Sequence, residues 1–371
     1  MVYSAIFRNI SLGAAAFLMS CSPAGEDFAD SALTTVNWDV YLGDNARSHY
    51  SPLTQINRDN VASLELAWVY DAGALRPGAS TMHTSPLVID GILYGLSPLL
   101  EAFAINGLSG QELWRFDPGE SGAEQRGLMW WQEGSLRRLL YAAGNELIAL
   151  DPDTGLPVSE FGNDGRVGLL PPGMAGPLTV TVPGVVYGNS VILGYSTSES
   201  ANALPGMVRA FSVHSGEELW RFNTLPEPGQ PGADTWARGS LATAGGANNW
   251  TGMALDEDRG MLFVPTGSAT PDFYGGSRAG DNLYANSLLA LDAGNGNYLW
   301  HFQAIRHDLW DRDLASPPTL VQLNRDGETI DAVAQTTKSG HLYLFRRDNG
   351  EPLYQISETA TTPSDFPDEA V

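Results

Sequence analysis

Three eleven-residue stretches decide the fold: Ala104-Ile-Asn-Gly-Leu-Ser-Gly110-Gln-Glu-Leu-Trp114, Ala210-Phe-Ser-Val-His-Ser-Gly216-Glu-Glu-Leu-Trp220 and Ala290-Leu-Asp-Ala-Gly-Asn-Gly296-Asn-Tyr-Leu-Trp300. Each begins in a short apolar run, turns through glycine and resumes with Leu-Trp. Glycine supplies the positive φ the turn needs, and the Asn, Asp or Ser within it can bond its own backbone. The unit is a β-hairpin. Two further copies, starting at Ala149 and Leu344, keep the turn glycine at Gly155 and Gly350 but carry Ser159 and Tyr354 where tryptophan would stand.

Outward from the hairpins, each is preceded by another β-rich run: Val88 to Tyr94, Leu139 to Ala142, Ser190 to Gly194 and Met261 to Val264. Units of this kind, spaced by roughly 45 to 80 residues, predict four-stranded antiparallel blades around an axis, an all-β β-propeller. The recurrent tryptophan is large enough to wedge between neighbouring blades; packing within its own sheet is the other use the same fold allows. Five turn glycines mark five blades, and residues 64–70 are read as part of another. A closed ring with a central site needs more, so the expectation is an incomplete propeller whose remaining blades belong to a C-terminal portion beyond Val371.

Composition agrees. The 371 residues include 41 Gly and 23 Pro, which excludes long helical bundles, while 43% hydrophobic and 17% charged residues exclude a disordered chain. A net charge of −23 repels phosphate backbones, so nucleic acid is excluded as a partner class. Cys21 is the only cysteine, which rules out an intrachain disulfide. It closes Leu18-Met19-Ser20-Cys21, a lipobox pattern after an apolar run. The reading is a lipoprotein signal over residues 1–20, a polar tether over 21–36 and the propeller over 37–371, with an acylated Cys21 holding a periplasmic body at a membrane. An ordinary secretory signal is the alternative.

The densest polar stretch is His301-Phe-Gln-Ala-Ile-Arg-His307-Asp308-Leu-Trp310-Asp311-Arg312-Asp313. Three carboxylates within six positions are costly to cluster unless a cation or a proton transfer accounts for them, although an acidic surface loop has the same look. Lys338 is the single lysine beside nineteen arginines. A compact ammonium whose pKa shifts on burial serves a site better than it serves a surface already supplied with arginine. In Ala244-Gly-Gly-Ala-Asn248-Asn249-Trp250-Thr-Gly252, glycines beside an indole suit the close approach of a flat ring.

Taken together, the Trp hairpins, the Trp250 segment, Pro265-Thr-Gly-Ser-Ala-Thr-Pro-Asp-Phe-Tyr-Gly-Gly276, His307-Asp-Leu-Trp-Asp-Arg-Asp313 and Thr337-Lys338-Ser-Gly340 resemble the pyrroloquinoline quinone (PQQ) dependent dehydrogenases of the membrane-associated glucose, quinate and alcohol type. Trp38-Asp-Val-Tyr-Leu-Gly-Asp44 and residues 50–57 resemble the leading segment of that family, and the similarity extends from about Asn37 to Tyr354. The resemblance implies an eight-bladed propeller holding PQQ and a divalent cation, Ca²⁺ or alternatively Mg²⁺, on its axis. It implies Asp311 as the catalytic base and as a metal ligand, and Glu199 as a second metal ligand. Lys338 is implied at the quinone oxygens, Trp250 as the stacking indole, and Arg126, Ser196 and Thr181 as further cofactor contacts. The implied partners are an alcohol, polyol or aldose substrate and a quinone or cytochrome electron acceptor. Three positions depart from the pattern: the adjacent cysteine pair of the alcohol branch is absent, Ser268 stands where that branch has an asparagine ligand, and Leu99 stands where some glucose-type members have histidine. A competing class is a non-enzymatic propeller lipoprotein similar to the scaffold of the outer-membrane β-barrel assembly machinery, which shares the Trp hairpins and the lipid anchor.

Overall fold

A computed structural model describes residues 36–73, 81–119, 124–362, 364, 365 and 369. The residues read as a signal (1–20), Cys21 and the residues read as a tether up to 35 lie outside them. Four four-stranded antiparallel sheets follow one another in chain order. The first holds β1 (Leu87–Ile89), β2 (Ile92–Leu96), β3 (Ala102–Asn106) and β4 (Glu112–Phe116); the second β5 (Met129–Glu133), β6 (Leu136–Ala143), β7 (Glu146–Leu150) and β8 (Arg166–Gly168). The third holds β9 (Val185–Tyr187), β10 (Ser190–Leu193), β11 (Met207–Ser212) and β12 (Glu218–Asn223). A two-residue strand β13 (Gly245–Gly246) precedes the fourth sheet, β14 (Ala254–Asp256), β15 (Met261–Pro265), β17 (Ser287–Asp292) and β18 (Tyr298–Gln303), and pairs with β16 (Ala269–Thr270). A fifth sheet has three strands, β19 (Thr319–Arg325), β20 (Glu328–Thr336) and β21 (Leu342–Arg346). The all-β propeller architecture read from the hairpins is what the chain adopts. Among the described residues, helix is confined to three three-residue 3₁₀ turns.

The second, third and fourth sheets are apolar on both faces because each lies between two others. Leu139, Tyr141, Ala143, Ile148 and Leu150 of the second sheet pack with Leu87, Tyr94 and Leu96 of the first. Leu140, Ala142, Leu147 and Ala149, the alternate residues of the same strands, pack with Val191, Leu193 and Phe211 of the third. The period-two pattern of a strand thus feeds two separate cores.

The turns behave as read. Gly110, Gly155, Gly216, Gly296 and Gly350 all take φ between 69° and 73°, and Asn106, Asp151, Ser212 and Asp292 accept backbone N–H groups of their own turns. The tryptophans are wedges between blades. Trp114 lies on Gly155 of the next sheet, Trp220 on Gly296 and Trp300 on Gly350, so close that a Cβ on those glycines would sit 2.5–2.6 Å from the ring. Each indole N–H also crosses to a carbonyl of that next turn, at Pro152, Ala293 and Arg347. Trp68 docks on Gly110 in the same way, though residues 64–70 form no strand.

The second sheet corrects one expectation. Ser159 is not the counterpart of tryptophan: an insertion separates the turn at Gly155 from β8, and Gly216 of the third sheet is covered instead by Phe161 and Val167. Shape at that contact is kept by two smaller apolar side chains in place of one indole.

A leading segment, residues 38–47, ties several blades together. Trp38 pairs with Val88, the Asn45 and Ala46 carbonyls accept the N–H groups of Leu255 and Leu320, and the Arg47 guanidinium, 1% exposed, donates to the carbonyls of Tyr41, Gly184 and Met253.

Candidate functional site

Three loops converge next to the fourth and fifth sheets. Trp250 lies between β13 and β14, Asp311 and Asp313 lie between β18 and β19, and Lys338 sits in the tight turn joining β20 to β21. The sheet register brings the loops together: the Gly267 N–H bonds the Asn248 carbonyl at 3.0 Å, and the Lys338 N–H bonds the Asp313 carbonyl at 3.0 Å.

The side chains then meet. The Lys338 ammonium donates to Asp311 Oδ1 at 2.7 Å and to Asp313 Oδ2 at 3.0 Å. It also lies 5.5 Å from the centroid of the Trp250 ring, within reach of a cation–π attraction. The Trp250 indole N–H donates to Asp313 Oδ2 at 2.9 Å. Burial alone would lower the Lys338 pKa, but its bonds to the two carboxylates outweigh that and raise it. Asp311 is raised above the usual aspartate range, first by loss of water and then by the Asp313 charge, against the pull of Lys338. The result is a protonated lysine held by two carboxylates, with a third of its side chain open to solvent.

The three carboxylates of the acidic loop have separate roles. Asp308 is buried and supports the loop: it accepts the Ser268 hydroxyl at 2.6 Å, the Asn286 amide at 3.1 Å and the main-chain N–H groups of Trp310 and Arg312. Asp313 is buried and joins several elements. Asp311 is half-buried and takes φ 53°, a left-handed conformation that aspartate tolerates better than most residues.

Other candidates lie near this group. Thr181 Oγ1 donates to the Trp250 carbonyl at 3.3 Å, and the Arg126 guanidinium donates to the Thr181 carbonyl at 3.3 Å, so Arg126, Thr181 and Trp250 form a chain of contacts. Ser196 pairs with Thr179 through main-chain bonds, and its neighbour Tyr195 accepts the Asn248 amide. Glu199 is exposed, and its carbonyl accepts the Asp272 N–H at 3.3 Å. His301 belongs elsewhere, bonded to Tyr298 on the outer strand of the fourth sheet. The glycines of the Trp250 segment do not open a path for a ring: a Cβ on Gly245 would meet the Ala203 carbonyl at 2.2 Å and one on Gly246 the Ser268 carbonyl at 2.5 Å.

Sequence reasoning missed Asp272. It is 5% exposed, and its Oδ1 is buried without a hydrogen-bond partner. Burial, together with the charges of Asp313, Glu199 and Asp311, pushes its pKa up to about 7. No pattern in Thr270-Pro271-Asp272 announces this, because the crowding is made by acids from two other loops, Glu199 between β10 and β11 and Asp311 and Asp313 between β18 and β19. A cleft of about 1060 Å³, bordered by Met207, Arg221, Trp236, Arg238 and Leu241, shares no residue with the lysine–carboxylate group.

The residues present fit a planar quinone: a half-buried indole face, an ammonium to polarise a carbonyl oxygen and a carboxylate to take a proton. They offer a divalent cation hard oxygen donors and a local excess of negative charge, of which the unpartnered Asp272 Oδ1 is the sharpest sign. Among the described residues no three His, Cys, Asp or Glu side chains already form a ligand set.

Comparison with known proteins agrees with the geometry. Residues 38–371 match the family described as PQQ: Glucose/ethanol/alcohol dehydrogenase, beta-propeller domain. The chain is 32% identical over 360 residues to quinoprotein glucose dehydrogenase A of Acinetobacter calcoaceticus, covering 87% of this chain and 44% of that protein. It is 31% identical to the quinate/shikimate dehydrogenase (quinone) of Acinetobacter baylyi, covering 92% and 46%. The crystal structure of the quinohemoprotein alcohol dehydrogenase of Comamonas testosteroni superposes with a TM-score of 0.75 at 28% identity, over 85% of this chain and 48% of that one. The chain spans about half the length of the curated relatives it matches. These matches do not favour the assembly-scaffold alternative.

Proposed function

This chain belongs to the PQQ-dependent glucose, ethanol and alcohol dehydrogenase β-propeller family, and from that premise we propose that it is a quinoprotein oxidoreductase oxidising a CH–OH group of an alcohol, polyol or aldose. The observation that carries the reading is the meeting of Asp311, Lys338 and Trp250 from three separate loops.

In this reading Trp250 would hold PQQ by stacking, Lys338 would bond its quinone oxygens, and Arg126, Thr181 and Ser196 would supply further contacts. Bound there, PQQ supplies a two-electron acceptor for the hydride leaving the substrate carbon. The chain's own residues do the rest. Lys338 keeps its proton well into the alkaline range, so its positive charge is constant while the enzyme works. Asp311, tied through Oδ1 to Lys338, takes the substrate hydroxyl proton on its other oxygen. Its raised pKa makes it a stronger base than an ordinary aspartate. Glu199 and Asp311 are the proposed ligands of a divalent cation, Ca²⁺ or Mg²⁺, whose Lewis acidity would assist the same polarisation. The relatives are named for glucose, quinate or shikimate, and alcohol, all of them CH–OH donors, and one name specifies a quinone. We place the protein in the periplasm, anchored through an acylated Cys21 and passing electrons to a quinone or a cytochrome.

The test is reconstitution of the purified protein with PQQ and Ca²⁺, following cofactor absorbance and dye reduction with a panel of alcohols and sugars. Uptake of PQQ with substrate-dependent dye reduction supports the reading, and absence of PQQ uptake overturns it. The Asp311→Asn protein is expected to take up PQQ and lose about 10²- to 10⁴-fold in turnover.

A further inference from the structure

Asp313 is the residue at which the parts of the site join. It is 5% exposed. Its Oδ1 accepts the Ser268 N–H at 2.7 Å and lies 3.1 Å from the Ser268 hydroxyl. Its Oδ2 accepts the Trp250 indole N–H at 2.9 Å and the Lys338 ammonium at 3.0 Å. Oδ2 thus meets two donors and Oδ1 the Ser268 N–H, since the one hydroxyl proton of Ser268 goes to Asp308 at the shorter distance of 2.6 Å. Its main-chain carbonyl accepts the Lys338 N–H as well, so the lysine is held at both ends.

The carboxylate is also locked in orientation. A Cβ on Gly267 would lie 2.9 Å from Asp313 Oδ1 and 3.2 Å from its Cγ, so the group packs flat against the main chain of residue 267. Asp311, by comparison, is only half-buried and meets the Lys338 ammonium through Oδ1. A group that is buried, bonded at both oxygens and pinned by backbone is poorly placed to exchange protons and well placed to fix the groups that do.

We propose that Asp313 is the positioning residue of this site: it sets the Trp250 ring and the Lys338 ammonium at a fixed angle and distance, so that the indole could stack on a quinone whose oxygens the ammonium reaches. This rests on the function proposed above. Asparagine cannot replace it, because whichever way its amide is turned the NH₂ group meets N–H donors on one side. Alanine at residue 267 tests the same point with the charge of Asp313 intact, by pushing the carboxylate off its seat.

The experiment compares wild type, Asp313→Asn and Gly267→Ala by two readouts. In the cofactor-free, ¹⁵N-labelled protein, the Trp250 indole N–H resonance, identified by its loss in Trp250→Phe, is expected to move in both variants while the indole signals of Trp114, Trp220 and Trp300 stay in place. PQQ affinity, followed by quenching of tryptophan fluorescence below the melting temperature, is expected to fall roughly 10- to 100-fold, the range seen when the support of a site ligand is removed. A merely structural role would lower the melting temperature and leave both readouts unchanged. An unmoved Trp250 resonance and unchanged PQQ affinity in a folded variant overturn the proposal; if Asp313→Asn does not fold, Gly267→Ala decides it. Failure of the wild type to take up PQQ would instead remove the proposed function, and the resonance shift would still report on the tether.

Discussion

Arg47 and Lys338 are both cations set over an aromatic ring, 5.4 Å from the centroid of Tyr41 and 5.5 Å from that of Trp250, and they are used in opposite ways. Arg47 is buried among blades, and its donors reach only neutral main-chain carbonyls. Loss of water pushes its pKa down to about 10, against the pull of Tyr41 and Asp44. Lys338 keeps part of its surface in water and faces two carboxylates, which raise it. A cation bonded by carbonyls on a sealed path is a fastener. A cation bonded by carboxylates at an open edge can change partners when a ligand arrives, and that is the difference between structure and site here.

The largest effect expected from breaking this contrast is at Arg47. Arg47→Met leaves buried carbonyls of Tyr41, Gly184 and Met253 without their donor and is expected to cost about 3–5 kcal/mol in denaturant unfolding, while the folded fraction keeps its affinity for PQQ. Trp300→Ala, which opens the seam over Gly350, is expected to cost a similar 3–5 kcal/mol by the same measurement. Were Arg47→Met to abolish PQQ uptake in folded protein, the division between fastener and site would fail.

Asp272 sharpens the comparison through pH. Its folded pKa of about 7 exceeds the ordinary 3.8, so the folded state of the cofactor-free protein holds the extra proton between those values. Its favourable contribution is complete below the unfolded pKa and is lost as pH rises through about 7. From pH 5 to pH 8 the wild type should therefore lose about 2–3 kcal/mol relative to Asp272→Asn, measured as the difference between their urea midpoints at each pH. Equal pH profiles would show that the carboxyl group is not held in that environment.

The smallest stability effect is expected at Lys338. Its ion pairs are partly open to water, so Lys338→Met should change unfolding free energy by about 1 kcal/mol or less. PQQ uptake, followed by fluorescence, should nonetheless fall sharply. A stability loss as large as that of Arg47→Met would make Lys338 a fastener too.

Much of this was legible in the chain because it depends on local rules. The turn glycines, the self-bonding Asn, Asp and Ser beside them and the Leu-Trp exits specify hairpins at any copy, and the hairpins specify blades. The second sheet escaped that reading at Ser159, since shape complementarity to Gly216 can be met by Phe161 and Val167 after an insertion of no fixed length. Lys338 was visible because it is alone among basic residues of its kind; Arg47 was invisible because nothing distinguishes it from eighteen other arginines until its carbonyl partners are in place. In the acidic loop, spacing drew attention to Asp308, Asp311 and Asp313 but could not divide their roles.

The amino-acid order by itself determined the repeated strand-turn-strand unit and singled out a lone lysine, an acidic cluster and an indole beside glycines, because backbone conformation and side-chain chemistry are properties of a few neighbouring residues. The tertiary structure alone decided that Asp308 supports a loop, Asp313 joins lysine to indole, Asp272 is crowded by acids from other loops and Arg47 fastens the blades. Those outcomes depend on desolvation and on partners distant in the chain, and neither exists until the sheets have packed.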